Sequence, residues 1–199
     1  MFDDSNLKNK GFTIIEIIIT VFLLAIAVVG IFSAFSLMVI LTSNTADQLT
    51  SAYLAQEGME IIRNIRDNNW LGMEVDPTVV SWDEGLTDCE HPAGCEVDYR
   101  TITSGQYPVY PASDRFFKID PNVGFYNYET GTDTKFKRKI TIECLPNNNC
   151  TTEHIMKVIV EVSWTQKPNI LNPSGASGII QVEDILYNWY IDEVQNDQQ

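Results

Sequence analysis

The chain has 199 residues, enough for one domain with its own core plus a further element, and a formal net charge of −14. Nucleic-acid binding rests on Lys and Arg neutralising phosphates, so 13 Lys and Arg against 27 Asp and Glu argue against direct DNA or RNA contact. Hydrophobic residues make up 44% of the chain but are unevenly placed: the 25 residues from Ile17 to Leu41 carry no charge at all.

The first eleven residues, Met1 to Gly11, are short and polar. The run that follows exceeds the roughly 20 apolar residues needed to cross a bilayer core, so Ile17 to Leu41 is expected to span as a helix. Lys8 and Lys10 precede the span and the next basic residue is Arg63, which predicts a cytoplasmic N-terminus and an external C-terminal part. The run is too long for the roughly 7–15-residue apolar region of a secretory signal, although Ser33-Ala34-Phe35-Ser36 supplies small residues near its end. A plain signal anchor is the stronger alternative. Glu16 separates the readings. A carboxylate inside an apolar run is costly, about 2.5–3.5 kcal/mol at the bilayer centre and less near its edge, and a passive anchor has no use for one.

The residues Lys10-Gly11-Phe12-Thr13-Ile14-Ile15-Glu16 resemble the cleavage and methylation signature of type IV prepilins and type II secretion pseudopilins. That signature is a basic residue, Gly, a cut, then Phe-Thr-Leu-Ile-Glu and an apolar helix; here Ile replaces Leu. The resemblance implies that residues 1–11 are a cytoplasmic leader, removed by a prepilin peptidase between Gly11 and Phe12. It implies N-methylation of Phe12 by the same type of enzyme, and a role for Glu16 in assembly and register. The physical account is a charge pair. Cleavage unmasks an ammonium at the lip of the apolar helix, and Glu16 of an incoming subunit neutralises it where either charge alone is costly. The partners implied are other pilin or pseudopilin subunits, the prepilin peptidase/methyltransferase and an inner-membrane platform. The chain is then a single-pass inner-membrane protein before assembly and part of a cell-surface filament after it. Many pilins carry a helix-bending Pro in the apolar half; this chain has Gly30 there instead.

Beyond Leu41, Leu54, Ile61, Ile62 and Ile65 fall at helical spacing, with Leu49 and Tyr53 nearby, and predict an amphipathic continuation. Asp67-Asn68-Asn69 is the expected stop, so the whole helix is placed at residues 12–69. Residues 70–199 read as an extracytoplasmic β domain. Trp70 to Ser113 is loop-like with one short strand at Val97–Thr103, and Arg115–Asp120 and Val123–Tyr128 are two short strands. Ile140, Ile142 and Cys144 alternate with polar residues, as do Val158, Val160, Val162 and Trp164, and Pro146-Asn147-Asn148-Asn149 between them predicts a hairpin. Ile179–Trp189 is a third strand. The basic cluster Lys135, Lys137, Arg138 and Lys139 reads as a solvated strand edge. The fold class expected is α+β and pilin-like: a long N-terminal helix packed on an antiparallel sheet. Lys157–Trp164 and Ile185–Trp189 further resemble the end of PilV-type minor pilins.

Four cysteines, all C-terminal to the apolar run, form two close pairs, Cys89 with Cys95 and Cys144 with Cys150. They fit disulfides in an oxidising compartment, with crossed pairing left open. The spacing exceeds that of zinc sites, so His91 and His154 are not assigned to a metal, and no cofactor is expected. Asp114, Asp120 and Asp133 match no calcium-ligand spacing and read as solvated loop acids. No catalytic motif is present, and no enzymatic role is expected. The function read from the sequence is a structural subunit, a minor pilin or pseudopilin. The alternatives are a tip-located adhesive pilin, whose binding surface is Trp70–Tyr128, or an unrelated single-pass anchored β ectodomain.

Overall fold

The computed structural model describes residues 11–75, 81–100, 110–111, 114–146, 154–166, 175 and 177–189. The expected leader, save Gly11, and the hairpin tip with Cys150 lie outside these residues. The chain divides into two compact units, Met1–Asn44 and Thr45–Gln199, and one helix, α1 (Ile14–Val75), contributes to both.

In the first unit no described residue is buried. Its helix has a mean hydropathy of 3.0 over its most apolar 18-residue window and is long and apolar enough to cross a membrane. The few polar side chains satisfy themselves. Thr20, Ser33, Ser36 and Thr42 each donate their hydroxyl to a carbonyl one turn back, at 2.9–3.0 Å, so these four hydroxyls need no partner from outside the helix.

The second unit is an α+β fold in which the later part of α1 packs on antiparallel sheet. The strands are β1 (Cys95–Glu96), β2 (Tyr110–Pro111), β3 (Lys118–Ile119), β4 (Tyr126–Asn127), β5 (Thr132–Asp133), β6 (Phe136–Leu145), β7 (Ile155–Thr165) and β8 (Ser177–Tyr187). A five-stranded sheet runs β2-β1-β6-β7-β8 and a three-stranded one β4-β3-β5. The expected hairpin is β6–β7, paired antiparallel from Phe136↔Trp164 to Leu145↔Ile155. Alternation places Phe136, Ile140, Ile142 and Cys144 of β6 and Met156, Val158, Val160, Val162 and Trp164 of β7 on the buried face. Against them lie Leu54, Ile61, Ile62 and Ile65 of α1, all buried, as their spacing predicts. Leu49 and Tyr53 are not on that face; they stay 55% and 63% exposed. Arg63 clamps α1 to β8, its Nε and Nη2 donating to Asp184 Oδ2 at 3.1 and 2.7 Å.

Three expectations are corrected. The helix continues past Asn69 to Val75. Asn69 is buried and its amide donates to the carbonyls of Trp82 (3.1 Å) and Glu84 (2.9 Å), while the Trp70 indole donates to Asn188 Oδ1. Residues that look like a stop in sequence are therefore tertiary anchors within the helix. The short strand expected at Val97–Thr103 is not there: the strand is Cys95–Glu96, Val97 to Arg100 follow it without being strand, and residues 101–103 lie outside the described residues.

The third correction concerns the basic cluster. Its strand, β6, is an interior strand between β1 and β7, not an edge. Lys135 pairs with Asp47 at 2.5 Å, Lys137 pairs with Asp114 at 2.6 Å, and Lys139 donates to the Pro92 carbonyl. Arg138 is 1% exposed, on the helix-facing side. Gly58 makes room for it: a Cβ there would lie 3.0 Å from Arg138 Cδ and 3.1 Å from Val160 Cγ1.

Cys89, at the end of a single 3-10 turn (Thr87–Cys89), is bonded to Cys95 at the start of β1, and both are fully buried. Cys144 is also disulfide-bonded, so none of these three sulfurs is a free thiolate for a metal. Closing so short a loop limits the unfolded chain only modestly. Replacing Cys89 and Cys95 together by Ala is expected to lower unfolding free energy by about 2 kcal/mol, read from urea midpoints of the two proteins.

Candidate assembly site

The residues that carry the resemblance lie at the start of α1. Gly11, Phe12 and Thr13 are non-helical, and Ile14 is the first helical residue. Thr13 caps the helix. The Glu16 amide donates to Thr13 Oγ1 (3.4 Å) and to its carbonyl (3.1 Å), and the Ile17 amide donates to the same carbonyl (3.2 Å). Thr13-Ile14-Ile15-Glu16 thus has the spacing of a capping box, and Glu16 sits in the first turn, where a carboxylate complements the helix dipole. The sequence reading gave Glu16 only an intermolecular role. The Thr-x-x-Glu signal just before an apolar run was present to show the local one.

Phe12, Ile14 and Ile15 are 79%, 79% and 64% exposed, so among the described residues the helix start presents an open apolar surface with one acid. Such a surface suits a hydrocarbon environment or neighbouring helices of the same kind. The arrangement also sets Glu16 one turn of helix from the Phe12 backbone, the atom group that a cut after Gly11 would turn into an amine. The helix-forming sequence is short of polar groups on every side, so a charge at that amine would find a low dielectric and few partners.

The remaining sequence candidates are scattered. Cys89–Cys95 and Cys144 are structural positions within the second unit, and Asp114, Asp120 and Asp133 occupy separate loops and a strand end. Asp120 accepts from the Asn122 amide at 2.8 Å, a local turn bond. Among the described residues no three His, Cys, Asp or Glu side chains converge on one point.

The prokaryotic N-terminal methylation motif family matches residues 6–32. The matched span contains the Gly11–Glu16 segment and the first half of the apolar helix, and it supports a type IV pilin-like or pseudopilin-like chain. No curated protein and no solved structure matches the chain.

Proposed function

We propose that this chain is a structural subunit of a type IV pilus-like or type II secretion filament, cut between Gly11 and Phe12, N-methylated at Phe12 and assembled through the apolar part of α1. The observation that carries the reading is the coincidence, in one helix start, of the matched methylation motif, an exposed apolar surface and a lone carboxylate at Glu16. In this reading residues 1–11 are the leader, the apolar first part of α1 is anchor and filament core, and the later part of α1 with the β strands forms the outward unit. The precursor sits in the inner membrane with its N-terminus cytoplasmic, where the peptidase/methyltransferase and the assembly platform meet it. The role is non-catalytic. The PilV-like runs Lys157–Trp164 and Ile185–Trp189 favour a minor subunit. They lie on neighbouring strands, Lys157 opposite Ile185.

Glu16 has two candidate jobs, and they respond differently to substitution. A capping box accepts Gln as well as Glu, whereas a pair with an ammonium needs the charge. In the native host, Glu16→Ala and Glu16→Gln chains are both expected to be cut after Gly11, as read by mass of the membrane form. Both are expected to fall at least about tenfold in sheared filaments, the loss of a charge pair in low dielectric. Wild-type incorporation of Glu16→Gln would assign the residue to the cap and end the charge-pair account. A mature chain that still carries residues 1–11 would remove the filament reading altogether.

A tip-located binding role finds its support in exposed aromatic residues within Trp70–Tyr128, namely Phe125 at 58% and Phe116 at 40% exposure.

A further inference from the structure

The second unit holds an open groove of about 650 Å³. Tyr53, Leu54 and Glu57 of α1 form one wall, and Tyr99, Phe125 and Tyr126 form the other. The size falls within the range of small-molecule sites. Four of these six side chains are aromatic. The Tyr99 and Phe125 rings meet at 5.4 Å between centroids with planes 56° apart, which makes a corner rather than a flat face. Tyr53 and Phe125 are more than half exposed, while Phe117, Tyr128 and Trp82 are buried, so the groove rings are not part of the core.

The groove has negative polarity. Among the described residues that line it there is no Lys, Arg or His and Glu57 is the one charged side chain, while the Arg100 guanidinium stands 5.7 Å from the Tyr99 ring centroid, leaving the faces of Tyr53, Phe125 and Tyr126 for a ligand. The nearest cation to Glu57 is badly placed: Arg138 Nη1 stands 3.7 Å from Glu57 Oε2 and donates to the Leu54 carbonyl, at 2.7 Å, instead. Burial pushes the Glu57 carboxyl above the usual carboxylate range despite the pull of Arg138, and Asp98 pushes it the same way. Thr50, also at the groove, has its hydroxyl turned to the Ala46 carbonyl. The walls therefore offer chiefly ring faces and an under-compensated carboxylate, with no fork of cationic donors for a phosphate among the described lining residues.

We propose that this groove is a binding site for an organic cation with an apolar body, a quaternary ammonium of the choline type. Such a cation is weakly hydrated and has no N–H to satisfy. Its charge is spread over methyl groups that pack on ring faces, whose quadrupole attracts it, and Glu57 supplies the counter-charge. The inference stands apart from the filament reading, because it concerns the unassembled chain as much as the assembled one.

The test is a titration of the full-length chain, in maltoside micelles free of choline headgroups, with choline chloride, followed by NMR of the N-methyl resonance. Half-saturation is expected at or below about 1 mM. The uncharged isostere 3,3-dimethylbutan-1-ol is expected to bind at least about tenfold more weakly. Glu57→Gln and, separately, Phe125→Leu are each expected to weaken choline about tenfold. Because the Phe125 ring is mostly exposed, Phe125→Leu is expected to keep the wild-type urea midpoint, which separates lost binding from lost fold. No saturation up to about 10 mM, equal binding of the uncharged isostere, or indifference to both substitutions would each overturn the proposal.

Discussion

Arg138→Leu is expected to lower the unfolding free energy of the second unit by about 3–5 kcal/mol, the cost of removing one partner from a buried charge network. Its guanidinium lies between α1 and the sheet. Nη1 donates to the Leu54 carbonyl, Nη2 to the Val97 carbonyl, and the group stacks 4.8 Å from the Phe117 ring centroid. Around it stand acids that are themselves buried. Glu96 is held by Arg115 at 2.6 Å, and Asp98 accepts from the amides of Tyr128 and Arg100. Leucine fills much of the volume but leaves two carbonyls without donors and Glu57 without its nearby cation.

The loss is expected to depend on pH. In the folded chain burial already raises the Glu57 carboxyl, so its ionisation opposes folding. That penalty is absent below the unfolded-state value, near 4.5, and sets in as pH rises through the higher folded-state value. Without Arg138 the folded-state value climbs further, so the Arg138→Leu deficit is expected to be larger at pH 7 than at pH 5. All four tryptophans lie at or beyond Trp70, so fluorescence during urea denaturation reports this unit alone. A pH-independent deficit, or one below about 1 kcal/mol, would show that the network carries little.

Gly178→Val is expected to cost about 3 kcal/mol, the upper end for overpacking, through packing rather than charge. Gly178 on β8 faces Trp164 on β7, and the indole lies directly over the missing side chain. A Cβ at 178 would stand 2.1 Å from Trp164 Cζ2 and 2.2 Å from Cε2, distances at which the ring must leave. Trp164 is 4% exposed and pairs across to Phe136, so its departure opens the end of the core. The expected signature is a red-shifted emission in the folded state together with the lower urea midpoint. Adding Trp164→Leu to Gly178→Val is expected to recover part of the loss, because the smaller side chain vacates the contact. Strict additivity of the two substitutions would contradict this account.

These two sites show which parts of the fold the sequence makes legible. Leu54, Ile61, Ile62 and Ile65 repeat at helical spacing, and the structure buries all four. The β6–β7 hairpin was readable because Ile140, Ile142 and Val158 to Trp164 alternate over enough residues to fix a face. The same parity, carried two residues back from Ile140, lands on Arg138. Its buried position was thus readable from register, but the neighbouring lysines made it look like surface. The two-residue strands β1 to β5 are too short for any period to show. The end of α1 was misplaced because Asn69 is satisfied by carbonyls 13 and 15 residues away, a partner no local pattern contains. The groove was invisible for the same reason: Tyr53, Tyr99 and Phe125 come from three separate stretches of chain.

The Thr13 cap has one more consequence, for the order of events at the membrane. A scissile bond inside a helix has its amides already engaged along the ladder, and a protease must first unwind it. Here the hydrogen-bonded ladder starts only at Thr13, so the cut we propose, at the Gly11–Phe12 linkage, would fall outside the helical ladder. A cut at that point would take nothing from the helix that remains, since the Thr13 signal that begins its winding would travel with the shortened chain.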